Sequence, residues 1–157
     1  MTLLLSLAAE NYETIRRRLQ ASLSRGLITG YELRLDRAPQ NLDLAKIGKE
    51  FGPFVATCLP KSQGGLFEGT PEAWADRLTS AARAGADFVD IPLDEEVLDL
   101  PDSCHRIHSI HERPGVFLKL EDELAKAVAR CQPGDYCKIV SWASALEDAA
   151  RATRLYT

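Results

Sequence analysis

Two hydrophobic periods alternate along the chain. Short apolar runs bounded by Gly, Pro or charged residues are separated by longer stretches whose apolar positions recur every three or four residues. The first pattern is that of buried strands, the second of one-sided helices. Strands are expected at Thr2–Ala9, Gly30–Asp36, Phe54–Leu59, Phe88–Leu93, Arg106–His111 and Tyr136–Val140. Helices are expected at Glu10–Ser24, with Ile15, Leu19 and Leu23 on one face, at Leu42–Phe51, from Pro71 to about Ala84, at Glu121–Cys131 and at Ser144–Leu155. The last should turn Leu146, Ala149, Ala150 and Thr153 inward. Punctuation agrees: Gly26 and Gly85 follow helices, Thr70 is an N-cap before Pro71 at the first helical position, and Pro133-Gly134 breaks a helix. Asp94–Glu96 opens a short helical or loop segment, so the unit is β then α throughout.

Repeated βα units imply parallel strands, right-handed crossovers and helices outside. An open doubly wound sheet and part of a (β/α)8 barrel both fit. Polar residues favour the barrel: Glu32, Arg34, His111 and Lys138 lie late in strands or on the turns after them, where barrel active sites form. No G-x-G-x-x-G follows the first strand, so a dinucleotide fold has no support. The expected fold is α/β, of the (β/α)8 TIM-barrel kind, incomplete, with about six βα units in a single domain over 1–157.

Gly30–Asp36 alternates with period two, Leu33 and Leu35 on one face and Glu32, Arg34 and Asp36 on the other. Facing outward, the charges would mark an edge strand; facing a barrel interior, they converge on a site. Glu32 and Arg34 could equally form only a structural ion pair. The run GDYCKIVSW (134–142) sets Lys138 among apolar neighbours. A lysine in a strand covered on both faces must reach water, find a partner or lose its proton. Desolvation lowers its pKa, and a neutral amine attacks a carbonyl to form a Schiff base. The alternative is a strand-end lysine that snorkels outward. Trp142 reads as packing, and Gly64-Gly65 as a turn or an anion cradle.

Composition narrows the class. Hydrophobic residues make up 45% and charged residues 27%, and the net charge is −4 from 19 basic and 23 acidic residues that are scattered along the chain. That is an ordinary globular profile without the basic footprint of a nucleic-acid binder. The densest basic run, Arg16-Arg17-Arg18, is most simply a solvated helix face. The apolar N-terminus lacks a basic flank and is too short for a span, so no membrane partner is expected. Cys58, Cys104, Cys131 and Cys137 form no C-x-x-C pair, and Cys58 and Cys137 fall in expected buried strands. Reduced thiols in a cytoplasmic protein are the reading. His105, His108 and His111 would share roughly one face of a helix and invite a metal. On a strand His108 faces away from the other two, and no metal is expected.

The stretches YELRLD (31–36), ATCLPKSQGG (56–65), GADFVDIPL (85–93), SIHERPG (109–115) and YCKIVSWASALED (136–148) resemble, in order and spacing, the type I 3-dehydroquinate dehydratases of the shikimate pathway. The resemblance runs over almost the whole chain. It implies a barrel lyase that removes water from 3-dehydroquinate without metal or nucleotide cofactor. By resemblance Lys138 forms the imine, His111 is the general acid and base, and Glu32 and Arg34 bind substrate. Two positions depart from the family pattern: Leu59 stands where it has an arginine, and Pro92 where it has a glutamate beside the histidine. The chain stops at Thr157, about where a seventh strand is expected. Six strands leave the first and sixth as edges: a homodimer or other self-association is expected to cover them, the alternatives being irregular closure of the sheet or a fragment that needs further C-terminal strands.

Overall fold

The computed structural model describes residues 3–8, 11–95, 98–111, 120–140 and 145–154, apart from the side chains of 120, 149 and 152. The chain runs β1 (Leu4–Ala8), α1 (Tyr12–Leu23), β2 (Gly30–Arg34), α2 (Leu44–Phe51), β3 (Phe54–Thr57), α3 (Pro71–Arg83), β4 (Phe88–Pro92), β5 (His105–His111), α4 (Leu120–Arg130), β6 (Tyr136–Val140) and α5 (Leu146–Arg154). Each strand pairs in parallel with the next, in the order β1-β2-β3-β4-β5-β6. No strand order reverses, so the doubly wound alternative is ruled out among the described residues.

The sheet is curled. In a flat sheet β2 and β6, four strand positions apart, would be separated by about 19 Å. Lys138 on β6 instead reaches Glu32 on β2, Nζ to Oε1 3.5 Å. Curling gives the two faces different chemistry. The outer face buries Leu7, Tyr31, Leu33, Phe54, Ala56, Val89 and Ile91 against Ile15 and Leu19 of α1, Ile47 of α2, and Trp74 and Leu78 of α3. The alternate residues, Ser6, Glu32, Thr57, Asp90, Ser109 and Lys138, look into the curl.

The helices start where capping chemistry is present. Asn11 accepts from the Thr14 amide at 2.9 Å, Asp43 from Lys46 at 3.0 Å and Thr70 from Ala73 at 3.2 Å, with Pro71 opening α3. Among the described residues no helix is long and apolar enough to cross a membrane.

Several boundaries differ from the sequence reading. β2 ends at Arg34, and Leu35–Arg37 form a 3-10 turn. The turn lets Asp36 bond both Arg34 and the Leu66 amide. β3 stops at Thr57 because the next two carbonyls are claimed elsewhere: that of Cys58 accepts from Trp74 Nε1 at 2.7 Å, and that of Leu59 from the Phe67 amide at 3.1 Å. β4 runs through Pro92, and the ladder continues beyond it from the Leu93 amide to the Ser109 carbonyl at 2.8 Å. α5 does not turn its apolar stripe inward: Leu146 is 84% exposed, and Ala150 and Thr153 are exposed. Its Arg151 pairs with Glu121 of α4. Cys58 is buried as expected, whereas Cys137 is only half-buried, on a strand with one neighbour among the described residues.

Candidate active site

The site is built from side chains of all six strands, placed by period-two alternation. β6 delivers Lys138, whose Nζ lies 2.8 Å from Asp90 Oδ2 on β4 and 3.5 Å from Glu32 Oε1 on β2. Glu32 is gripped from both sides, by Ser6 Oγ of β1 at 2.5 Å and Thr57 Oγ1 of β3 at 2.7 Å. The Asp90 side chain is fully buried while that of Lys138 is 32% exposed, so the lysine sits between a buried carboxylate and the opening. His111 ends β5. Its Nε2, Asp90 Oδ1 and Ser109 Oγ are buried and have no hydrogen-bond partner among the described residues. Buried polar atoms are ordinarily partnered, so three such atoms around one lysine make a polar receptor.

Burial alone would pull the Lys138 pKa down, but the charge and hydrogen bond of Asp90, joined by those of Glu32, hold it above the ordinary lysine range. The lysine is an ammonium at neutral pH: of the outcomes open to it in an apolar strand, it has found a partner. Burial likewise works to raise Glu32, and the Ser6 hydrogen bond, the Lys138 charge and the Thr57 hydrogen bond outweigh it, holding the carboxyl below the usual range. His111 is lowered, first by burial; Asp90 opposes this, and the charges of Lys138 and Arg34 add to it. The resting site is therefore a charged amine, two carboxylates and a neutral imidazole.

Arg34 does not pair with Glu32. Its Nε and Nη2 donate to Asp36 Oδ1 and Oδ2 at 2.9 and 2.8 Å, and the Asp36 carboxylate is fully buried. This fork uses one edge of the guanidinium, leaving Nη1 without a partner among the described residues. Of the residues singled out from sequence, Lys138, Glu32 and His111 face one another electrostatically, and Arg34 stands beside them.

Other sequence expectations fare differently. Gly64-Gly65 is no anion cradle, because the two amides are spent on the carbonyls of Lys61 and Pro60 at 3.1 and 3.0 Å. His108 points to the helix side, its Nε2 3.3 Å from Asp135 Oδ2, and the His105 ring lies 5.7 Å from that of Phe88. Among the described residues no three His, Cys, Asp or Glu are grouped to hold a metal. Leu59 is buried, 4% exposed, in the position where the resemblance puts an arginine. Trp142 and residues 112–115 lie outside the described residues.

Sequence reasoning missed Asp90, Ser6, Thr57 and the role of Asp36. The signal was present: each is a polar residue at an alternate position of an otherwise apolar strand or just past one. That is the same logic that singled out Lys138.

A curled parallel sheet with helices outside and a lysine held by carboxylates within defines an incomplete TIM-type (β/α) barrel with an amine-centred site. More narrowly, the chain belongs to the type I 3-dehydroquinase family, whose sequence profile matches residues 4–157. Among solved structures it is similar to the dehydroquinate dehydratase and shikimate dehydrogenase from S. pombe AroM, with TM-score 0.74 and 21% identity over 99% of this chain and 34% of that one. It is also similar to 3-dehydroquinate dehydratase from Enterococcus faecalis, with TM-score 0.76 and 18% identity over 95% of this chain and 69% of that one. At these identities the likeness speaks to the fold, and the chain spans about a third of the S. pombe protein. Among curated proteins none matches significantly.

Proposed function

We propose that this chain, in the cytoplasm, dehydrates 3-dehydroquinate to 3-dehydroshikimate through a Schiff base on Lys138. The observation that carries the reading is the lysine lodged between Asp90 and Glu32 on strands that also present the unpartnered His111 Nε2. The ammonium releases a proton to solvent at the opening, and the free amine attacks the substrate ketone. The ketone oxygen takes a proton back and leaves as water, which leaves an iminium where the ammonium stood and His111 still neutral. The carboxylates that favoured the ammonium favour this cation equally, so the raised lysine pKa that slows attack also stabilises what attack produces. The iminium acidifies the adjacent carbon, His111 Nε2 removes a proton there, and the resulting enamine expels the β-hydroxyl as water with a proton from His111. Hydrolysis of the iminium frees Lys138, so one water is lost overall. Arg34 Nη1 and Glu32 bind the substrate's polar groups.

The test is turnover, followed by the ultraviolet absorbance of the conjugated enone product. A rise that Lys138→Ala abolishes supports the reading; none from folded protein at high substrate overturns it. A second reading has its own observation. Leu59 and Pro92 put buried apolar residues where the resemblance implies an arginine and a glutamate, which suits a family member that binds without turning over. Adduct formation without enone would select it.

β1 and β6 each have one neighbour among the described residues, and exposed strand edges invite pairing. We propose that self-association, in the simplest case a homodimer, covers them. Light scattering should give a mass above that of the monomer at micromolar concentration, and a monomeric mass contradicts the proposal.

A further inference from the structure

One pair of nucleophilic side chains takes no part in this chemistry. Cys131 follows the last residue of α4, Cys137 is the second residue of β6, and their sulfurs lie 3.3 Å apart. A disulfide needs about 2.05 Å, so closure is a movement of a little over 1 Å.

The juxtaposition is built by the connection between them. Past Cys131 the chain makes a β-turn from Gln132 to Asp135, closed by the Asp135 amide on the Gln132 carbonyl at 2.9 Å. Pro133 and Gly134 are its central residues, and Gly134 has φ +95°, as the third position of a type II turn requires. A Cβ there would also run into the His105 ring. The Asp135 carboxylate then pins the turn to β5, accepting from the amides of Arg106 at 2.9 Å and Gln132 at 3.0 Å and meeting His108 Nε2 at 3.3 Å. The two sulfurs are held together by a fixed turn.

Accessibility separates this pair from the other thiols. Cys58 and Cys104 are 0% and 3% exposed, and burial pushes them up to about 12 and about 11. Cys131 and Cys137 are half-buried. The Cys131 thiol is pushed up to about 12, by burial and then by the hydrogen bond and charge of Cys137.

We propose that Cys131 and Cys137 form a reversible dithiol–disulfide site that exchanges with small-molecule disulfides and, when oxidised, fastens α4 to the strand carrying Lys138. One cysteine of the pair, as its thiolate, attacks one sulfur of R–S–S–R, forming a mixed disulfide and expelling one thiolate. The other, losing its proton, attacks the first cysteine's sulfur and expels the second. Two cysteine thiols are oxidised to one disulfide, R–S–S–R is reduced to two thiols, and the cysteine protons pass to the leaving groups. Cys137 faces α4, so the bond forms on the side of β6 away from Lys138. It anchors a strand that otherwise has one neighbour among the described residues.

The experiment incubates the folded chain with oxidised glutathione and reads intact mass, peptide map and amide exchange over 136–140, none of which needs turnover. The expected product is lighter by two hydrogens, carries a Cys131–Cys137 cross-link, and reverts with dithiothreitol. Cys58 and Cys104 stay unmodified, and exchange in β6 slows several-fold. Cys131→Ser and Cys137→Ser should each stop at a single mixed disulfide or none. A wild-type chain that stops at the glutathione adduct overturns the site, as does a folded chain left unmodified by oxidant that oxidises the urea-unfolded chain. A cross-link that leaves β6 exchange unchanged overturns the fastening.

Discussion

Lys138 owes its charge to residues 48 and 106 positions away, Asp90 and Glu32. Sequence flagged the lysine because a lone charge in an apolar strand is conspicuous, and flagged Glu32, Arg34 and His111 by their places late in strands; the resemblance added their roles. It did not yield the direction of the lysine's pKa shift. Burial and carboxylates pull that shift in opposite senses, and only distances decide between them. Asp90 escaped notice inside a run that reads simply as a buried strand ended by proline. The consequence is testable. With its pKa raised, Lys138 is mostly protonated below that value, so imine formation should rise about tenfold per pH unit through neutrality as the free amine grows. Asp90→Asn removes the largest favourable cause, so the lysine pKa falls and this profile should move to lower pH. Rates of borohydride-trapped adduct formation at several pH values measure it; an unmoved profile would mean Asp90 does not set the lysine's charge.

The elements were legible where local rules suffice. The caps at Thr70 and Pro71 and the bounds of β6 stand as the sequence implied. The end of β3 was not, because Trp74 and Phe67 compete for its carbonyls from distant positions. Nor was the exposure of Leu146, Ala150 and Thr153 on α5, which a helical apolar stripe alone would have turned inward. The loop after β3 has a sharper constraint than its glycines suggested. Gly65 lies so close to Leu59 that a Cβ would overlap the Leu59 carbonyl. Gly65→Ala is expected to destabilise the fold by about 1–3 kcal/mol, read from the urea midpoint. A midpoint equal to wild type would show that the loop is not packed as described.

At the scale of the molecule, the repeating βα pattern predicted parallel strands but was equally compatible with an open sheet. Curl is a property of strand register and long-range contact, and the polar interior favoured it without proving it. That interior carries a stability signature. His111 has a folded pKa below its ordinary value, chiefly through burial. The unfolded chain therefore takes up a proton below about pH 6.5 that the folded chain refuses, and stability falls as pH drops through that value. Glu32 is lowered too, but as an acid whose charged form the fold favours, so it keeps its contribution until pH falls below about 4.5, a separate window. His111→Gln should flatten the first fall in urea midpoints and leave the second. Equal slopes in variant and wild type would place His111 in solvent.

The central claim is that Lys138 is the nucleophile of a receptor for a ketone. Incubating the chain with 3-dehydroquinate, reducing with borohydride and mapping the modified peptide tests it most directly. The expected result is a stable adduct on Lys138, absent from Lys138→Ala. A folded chain at high substrate that yields no adduct, or one on another lysine, contradicts the account.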